Sequence, residues 1–214
     1  MGKKPPRSFK TLDAELSETR KTILVESAKR ILRKQGIRAA TLREIAKEAD
    51  VTTGAIYHYF KNQEHIWAAV YVNAINEIME RLNQINKSTS ALSFKKRVKR
   101  LVEEYLSFLL ENNWIADVIV HNEFGERFDE VARTMINEVN IKSFIHFITL
   151  ASPKGANSPD EERKSAEALW ALCNGLIGMF RLTKVEERDY VRKRIEELIE
   201  HGVNLLISPC EEKL

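Results

Sequence analysis

Apolar residues recur every three or four positions through nearly all of the 214-residue chain. That spacing matches the 3.6-residue period of the α-helix, and no segment shows convincing strand alternation. The chain holds only 8 Gly and 5 Pro, which disfavours a turn-rich all-β architecture. We therefore predict an all-α fold of about nine helices.

Three short helices are predicted in the first third of the chain. The first covers about residues 17–35 and ends at Gly36, a residue type that commonly terminates helices. The second begins at Thr41, with Glu44 three residues later, which is the spacing of a capping box. The third ends at about Phe60. Residues 1–16 contain two prolines and many charges, and we interpret them as a flexible basic arm.

Six mostly longer helices are predicted in the remainder. Their apolar stripes place them at about residues 63–87, 94–113, 114–121, 128–150, 158–184 and 186–207. The join between the three short helices and the six that follow is also where the charge changes sign. Residues 1–62 carry a net charge of +7, whereas residues 63–214 carry −4. A basic first third indicates contact with a polyanion by that part alone.

Several classes of protein are disfavoured by the composition. The two cysteines, Cys173 and Cys210, form no CxxC pair, which argues against a disulfide scaffold and favours a reducing cytoplasm. No apolar run reaches the ~20 residues that a membrane span needs. The chain has no phosphate-binding or nucleophile-elbow motif on a predicted strand, and its five histidines show no metal-ligand spacing. We expect no catalysis, no cofactor and no metal.

The segment 41–60 has the spacing of a helix-turn-helix. Ala46 is small enough for the second helix to cross closely over the first. We expect Val51 to fill the turn from inside and Ile56 to pack against the preceding helix. The opposite face of the second helix would then leave three side chains free to enter a groove: Thr53, Tyr57 and His58.

Residues 36–67 resemble the N-terminal signature of the tetracycline-repressor (TetR/AcrR) family of bacterial and archaeal regulators. The matching features are Gly36, the start of the second helix at 41–46, Val51, Gly54, the aromatic run 57–60 and the segment 61–64. The match covers about residues 18–70. His65 departs from the pattern, because the family usually has an acidic or polar residue there.

The resemblance implies a homodimeric regulator of transcription that binds a pseudo-palindromic double-stranded DNA operator. It further implies a helix-turn-helix DNA-binding domain at 17–62 and an effector-binding and dimerisation domain at 63–214. We expect a cytoplasmic repressor that a small apolar or aromatic effector releases from the operator. The same contacts would serve an activator.

The resemblance also carries DNA contacts onto this sequence. The N-terminus of the second helix would bind phosphate, and the opening of the recognition helix would approach base edges. The aromatic run and the lysine after it would hold phosphates, with His58 able to reach a base, while Tyr59 is equally compatible with a core position. The predicted contacts are Thr41, Arg43, Thr52, Thr53, Gly54, Ala55, Tyr57, His58, Tyr59 and Lys61.

Residues 168–180 contain no charge, so their helix must be buried on more than one side. Small residues on one side allow another helix to approach closely. In the resembled family the last two helices form the dimer interface, whereas a fully buried monomer core would give the same pattern. The predicted interface residues are Ala168, Ala171, Leu172, Gly175, Gly178, Ile195, Leu198, Gly202 and Leu205.

The middle helices supply aromatic walls and a few polar groups for an effector, which in the resembled family lies inside this body. The predicted effector residues are Tyr105, Phe108, Trp114, His121, Phe124, Phe128, His146, Phe147, Trp170 and Asn174, with Phe144 and Asn140 beside them. One alternative is an all-helical enzyme or ligand carrier with an incidental basic head. Another is a DNA-binding protein without an effector.

Overall fold

Every regular element in the described part of the chain is helical. The computed structural model describes residues 9–36, 40–112, 114–115, 128–152, 159–182 and 185–211. Eight α-helices lie in these ranges: α1 (Phe9–Gln35), α2 (Leu42–Glu48), α3 (Thr53–Tyr57), α4 (Gln63–Ser88), α5 (Phe94–Glu111), α6 (Glu130–Ala151), α7 (Pro159–Leu182) and α8 (Arg188–Glu211). A 3-10 turn at Val185–Glu187 precedes α8. The prediction of an all-α fold is confirmed.

Two predicted boundaries differ from the structure or lie partly outside it. α1 begins at Phe9, eight residues before the expected start at Ser17. The segment from Leu12 to Leu16 consists largely of good helix formers, and the earlier pair of prolines obscured this. Residues 1–8 lie outside the described residues. Of the helix predicted at 114–121, Trp114 and Ile115 are helical and the rest lies outside the described ranges.

Local signals set the short helices of the head, which we define as α1 to α3. Gly36 ends α1 with a φ of +72°, a conformation that glycine adopts without strain. Thr41 and Thr52 cap α2 and α3, each accepting a hydrogen bond from a backbone N–H three residues on. Between these helices Asp50 has a φ of 54°, a left-handed conformation that residues other than glycine adopt uncommonly.

The body, which we define as α4 to α8, is built around α4. This helix packs against α1 on the head side and against α5 and α6 on the body side. α7 and α8 form an antiparallel pair, and α5 and α6 lie between that pair and α4. One apolar core runs through head and body, from Leu24 of α1 to Val203 of α8. No helix in the described part of the chain is long and apolar enough to cross a membrane.

An ionic cluster joins head and body where α1, α4 and α5 meet. Lys29 of α1 is 3% exposed and donates to Glu77 and, at 3.0 Å, to Asn73, both on α4. Glu77 also accepts a hydrogen bond of 2.7 Å from Arg81. Arg33 of α1 donates to Oδ1 of Asn112 at the end of α5, over 2.8 Å. We call Lys29, Arg33, Glu77, Arg81 and Asn112 the α1 clamp.

Candidate functional site

The starts of α2 and α3 present threonine caps to solvent. The Thr41 hydroxyl accepts from the Glu44 N–H at 3.3 Å, and the Thr52 hydroxyl accepts from the Ala55 N–H at 3.2 Å. A helix start carries partial positive charge and unpaired N–H groups, so it favours a phosphate. The capping prediction for Thr41 is therefore confirmed, and both caps stand where an anion could approach.

The predicted DNA contacts lie on the exposed side of this unit, with three exceptions. Thr53, Ala55 and Tyr59 are half-buried. Tyr59 packs against the core and its hydroxyl accepts a hydrogen bond of 3.3 Å from Arg20, so the ring serves the fold at this position. The other seven are exposed: Thr41, Arg43, Thr52, Gly54, Tyr57, His58 and Lys61.

Gly54 of α3 and Val51, just before α3, show where packing constrains the residue type. A Cβ added to Gly54 would meet only the Thr52 hydroxyl, at 3.8 Å, so packing within the protein does not demand a glycine. The expectation that Val51 fills the turn was wrong, because Val51 is 41% exposed. Val51 instead follows Asp50, whose φ is positive, and lines a surface depression of about 320 Å³ with Ile23 and Tyr59. Ile56 and Ala46 fill the interior.

Two buried tyrosine–asparagine pairs lie inside the body. The Tyr71 hydroxyl of α4 donates to Asn140 of α6 at 2.6 Å, and the Tyr105 hydroxyl of α5 donates to Asn174 of α7 at 3.3 Å. Burial raises the pKa of both phenols, and the nearby Tyr105 adds to the rise at Tyr71. Burial also raises the pKa of the adjacent Cys173 to about 12. These groups are all uncharged at neutral pH.

Some of the predicted effector residues meet around these pairs. Tyr105 stacks at a tilt on Phe147 with ring centroids 5.4 Å apart, and Phe144 meets Trp170 edge to face at 5.0 Å. Phe108 lies elsewhere, because Arg81 of the α1 clamp covers its ring at 5.1 Å. Phe128 is buried at the start of α6. His121 and Phe124 lie outside the described residues.

Two further predicted effector residues carry buried polar atoms. The Trp114 indole N–H and the His146 Nε2 find no hydrogen-bond partner among the described residues. Buried polar groups are usually paired, so each is a place where a bound molecule or water could supply a partner. The two residues lie on different elements, Trp114 after α5 and His146 within α6.

The surface of α7 and α8 divides the predicted interface residues into two sets. Gly175 and Gly178 have open space where a Cβ would stand, and Leu205 is 61% exposed. Ile195, at 3% exposed, and Gly202 instead face inward, since a Cβ on Gly202 would lie 2.5 Å from Leu172 Cδ2. The outward set that a second copy could reach is Ala168, Ala171, Gly175, Gly178, Leu198 and Leu205, with Leu172 at the α7–α8 contact.

His65, the departure from the family pattern, contacts a residue far along the chain. Its Nε2 lies 2.9 Å and 3.1 Å from the two carboxylate oxygens of Asp129. A carboxylate has no proton to give, so the imidazole N–H donates. Asp129 also caps α6 by accepting from the Ala132 N–H at 3.0 Å. The pKa of Asp129 lies below its usual value because of the Ala132 N–H and His65.

Sequence reasoning missed Tyr71, Asp129 and the α1 clamp. Tyr71 stands in the apolar stripe of α4, where only the partner on α6 reveals its hydroxyl as part of a polar pair. Asp129 before an apolar run is a readable N-cap signal, but its contact with His65 spans 64 residues. Lys29 was hidden among the many charges of α1.

The head matches a known sequence profile. Residues 24–70 match the profile of the bacterial regulatory proteins of the tetR family. This range includes all of α2 and α3 and the first turns of α4.

Similarity beyond the head extends to several regulators. The probable HTH-type transcriptional regulator ArpR of Pseudomonas putida is 26% identical over 207 residues, 93% of this chain and 97% of that protein. The fatty acid metabolism regulator protein of Bacillus subtilis is 24% identical over 135 residues, 63% of this chain and 67% of that protein. The crystal structure of FadR from Bacillus subtilis in complex with stearoyl-CoA has the same fold, with a TM-score of 0.62, 18% identity and coverage of 88% and 98%.

Proposed function

We propose that this chain, which belongs to the tetR family of bacterial regulatory proteins and is a DNA-binding transcriptional regulator, acts as a homodimeric repressor. The observation that carries the proposal is the exposed face of α2 and α3. Its two capped helix starts are exposed, as are Tyr57 and, just after α3, His58 and Lys61. Residues 17–62 would form the DNA-binding domain and residues 63–214 the effector-binding and dimerisation domain.

The DNA contacts would divide between phosphates and bases. Thr41, Arg43, Tyr57 and Lys61 would bind phosphates, while Thr53, Gly54 and Ala55 approach base edges and His58 serves either. Threonine and alanine offer thymine methyl groups an apolar contact but form no bidentate base pair. Recognition would then depend strongly on phosphates and DNA shape. Access to chromosomal DNA fits a cytoplasmic location.

The dimer would form through α7 and α8. Gly175 and Gly178 leave room for a helix of the second copy, and Leu198 and Leu205 are two turns apart on one side of α8. Gly175→Leu should weaken dimerisation, since a large side chain cannot fit a close crossing and overpacking costs about 1–3 kcal/mol. Sedimentation of wild type as a monomer at micromolar concentration would contradict the dimer.

The effector would lie among α4, α5, α6 and α7, around the two tyrosine–asparagine pairs. Buried aromatic rings provide apolar contact, and the phenols and amides provide uncharged hydrogen-bonding groups. A small apolar or aromatic molecule with a neutral polar group fits this chemistry. That a related regulator was solved with stearoyl-CoA supports a largely apolar effector and adds acyl thioesters to the candidates.

The test begins with in vitro selection of a duplex from random DNA by the wild-type protein. We expect an inverted repeat bound by two protomers, because two recognition helices related by a two-fold axis read inverted half-sites. Apolar compounds and stearoyl-CoA are then screened by thermal shift, and each stabilising compound is tested for release of the duplex. A coupling of about 1–3 kcal/mol would weaken DNA binding roughly 5–150-fold. Stabilising compounds that leave DNA affinity unchanged would contradict the switch.

A further inference from the structure

We propose that the contact between His65 and Asp129 is a positioning contact that sets the separation of the two heads, and so selects the spacing between operator half-sites. The proposal rests on the proposed function, because head separation matters for a dimer on DNA. It adds a role for two residues outside the predicted DNA, effector and dimer sets.

His65 lies in the first turn of α4, close in sequence to the recognition helix α3. α3 ends at Tyr57 and α4 begins at Gln63, so five residues separate them. The side chain of Asn62 caps α4 by accepting from the His65 N–H at 2.9 Å. The first turn of α4 is therefore hydrogen-bonded to the short segment that follows α3. A change in the direction of that turn would move the recognition helix, α3.

Asp129 is held in place by hydrogen bonds on the body side. Its carboxylate accepts from the Ala132 N–H at the start of α6. Just before it, the carbonyl of buried Phe128 accepts a hydrogen bond of 2.7 Å from Arg133. Backbone and side chain are thus both fixed on the body side, so the carboxylate is a fixed point against which His65 can be held.

The contact from His65 to Asp129 restricts the direction of the first turn of α4. Apart from the Tyr71–Asn140 hydrogen bond further along both helices, α4 and α6 pack through buried apolar side chains such as Ile75, Ile136 and Val139. Apolar contacts are non-directional and tolerate small shifts between helices. A hydrogen bond to a carboxylate is directional and stronger than a neutral one, so it limits the angles that the first turn of α4 can adopt.

The contact also lies beside the DNA-facing surface. Lys61 is close enough for its charge to contribute to the lowered pKa of Asp129. Lys61 is exposed and is one of the predicted phosphate contacts. The body-side carboxylate therefore lies near a lysine that is predicted to bind a phosphate and that stands just before α4.

The experiment compares spacings of one operator. The probe is the duplex selected in vitro by wild type, together with versions whose half-sites are one base pair closer or further apart. His65→Leu removes the donor, His65→Gln retains an N–H donor, and Asp129→Ser keeps a capping oxygen but is too short to reach α4. Glu200→Gln is the control, because it breaks a pair of 3.2 Å with Lys99 between α5 and α8 without touching α4.

We expect wild type to prefer the selected spacing, and His65→Leu and Asp129→Ser to reduce that preference by roughly three- to tenfold. Preference for the half-site bases should stay unchanged, and His65→Gln should restore most of the discrimination by spacing. Glu200→Gln should behave as wild type. Thermal unfolding of each variant accompanies the binding measurements.

Two results would overturn the proposal. In one, folded His65→Leu and Asp129→Ser keep the wild-type ratio of affinities between spacings. In the other, they lose affinity equally at all spacings in proportion to lost thermal stability, which is what a purely structural contact would do. Failure of the wild type to select any duplex would instead refute the proposed function, and this proposal with it.

Discussion

At the starts of α2 and α3 the capping side chains face solvent, whereas inside the body two tyrosines are paired with asparagines. Thr41 and Thr52 cap helices and stay exposed, but Tyr71 and Tyr105 are buried and hydrogen-bonded to asparagines. Side chains that would meet a DNA phosphate can stay hydrated in the free protein at little cost in free energy. The tyrosine hydroxyls inside the body are already paired with asparagines, so an effector that bound to them would have to replace existing hydrogen bonds.

The two regions also differ in how residues reach each other. The starts of α2 and α3 in the head are each set by a cap three residues from its donor. Each tyrosine–asparagine pair spans 69 residues. Substitutions that act in one region alone therefore test whether head and body are as different as the structure indicates.

The largest effect is expected where the two regions meet, in the α1 clamp. Glu77→Leu should lower the free energy of unfolding by about 3 kcal/mol, because buried Lys29 would keep only its more distant ion pair with Glu26, at 3.8 Å. Because Glu77 is partly exposed, this loss lies at the lower end of the range for breaking a buried ion pair. Urea unfolding followed by circular dichroism measures it. The control is Glu197→Leu, at an exposed pair with Arg194, which should change stability by less than about 1 kcal/mol.

The same residue predicts a pH dependence. Burial alone would raise the pKa of Glu77, but hydrogen bonds from Lys29 and Arg81 outweigh it and hold the pKa below its usual value. A lowered pKa contributes stability above the unfolded value of about 4.3, and that contribution is lost as pH falls through the folded value. The difference between wild type and Glu77→Leu should therefore shrink as the pH falls below about 4. A difference that grows on acidification would contradict this.

The next largest effect is expected in the head. Gly54→Leu should weaken binding to the selected duplex roughly 10–100-fold, because a large side chain would separate the recognition helix from the bases. Thermal stability should not fall, since the structure leaves space at this position. Fluorescence anisotropy and thermal unfolding measure the two effects, with Gly54→Ala as the smaller step. A loss of stability comparable to the loss of binding would remove Gly54 from the DNA-facing set.

A smaller effect is expected in the body interior. Asn174→Leu should destabilise the protein by about 1–3 kcal/mol, because it leaves the buried Tyr105 hydroxyl without its acceptor. DNA binding by the folded fraction should stay near the wild-type value. Asn204→Leu, at an exposed position of α8, is the matched control. Equal stability of the two variants would mean that the interior pair is not needed in the effector-free protein.

The smallest effect is expected from one exposed lysine. Lys61→Ala should weaken binding to all duplexes alike and reduce the slope of log affinity against log salt by about 0.9, the value for one phosphate contact. Lys96→Ala, on the exposed side of α5, should leave the slope unchanged. Titrations of each variant with the selected duplex at several salt concentrations measure this slope. A wild-type slope in Lys61→Ala would exclude the phosphate contact.

Most of the head could be predicted from the sequence because its signals are local. The Thr41 cap, the stop at Gly36 and the buried positions of α1 follow from residue type and spacing. The prediction that Val51 fills the turn was wrong. Val51 follows Asp50, whose positive φ a sequence pattern does not reveal. The start of α1 was misplaced because helix propensity beside two prolines is a weak guide.

The body was predictable as helices and apolar faces, but not as a set of contacts. Tyr105 and Asn174 could be selected as candidates, yet their pairing depends on how α5 and α7 cross. Gly175 and Gly202 look alike in sequence, and only the packing of Leu172 separates the outward glycine from the inward one. His65 was noticed as unusual, but its partner Asp129 is set by the tertiary fold.

The α1 clamp has a consequence for how the protein unfolds. Because one apolar core runs through head and body and Lys29 and Arg33 bind α1 to α4 and α5, the head cannot separate from the body without exposing apolar side chains and losing these contacts. Head and body should therefore form one cooperative unit, with backbone amides near Lys29 exchanging with solvent only through global unfolding. Calorimetry should then record a single transition, in which the DNA-reading end and the effector end are lost together.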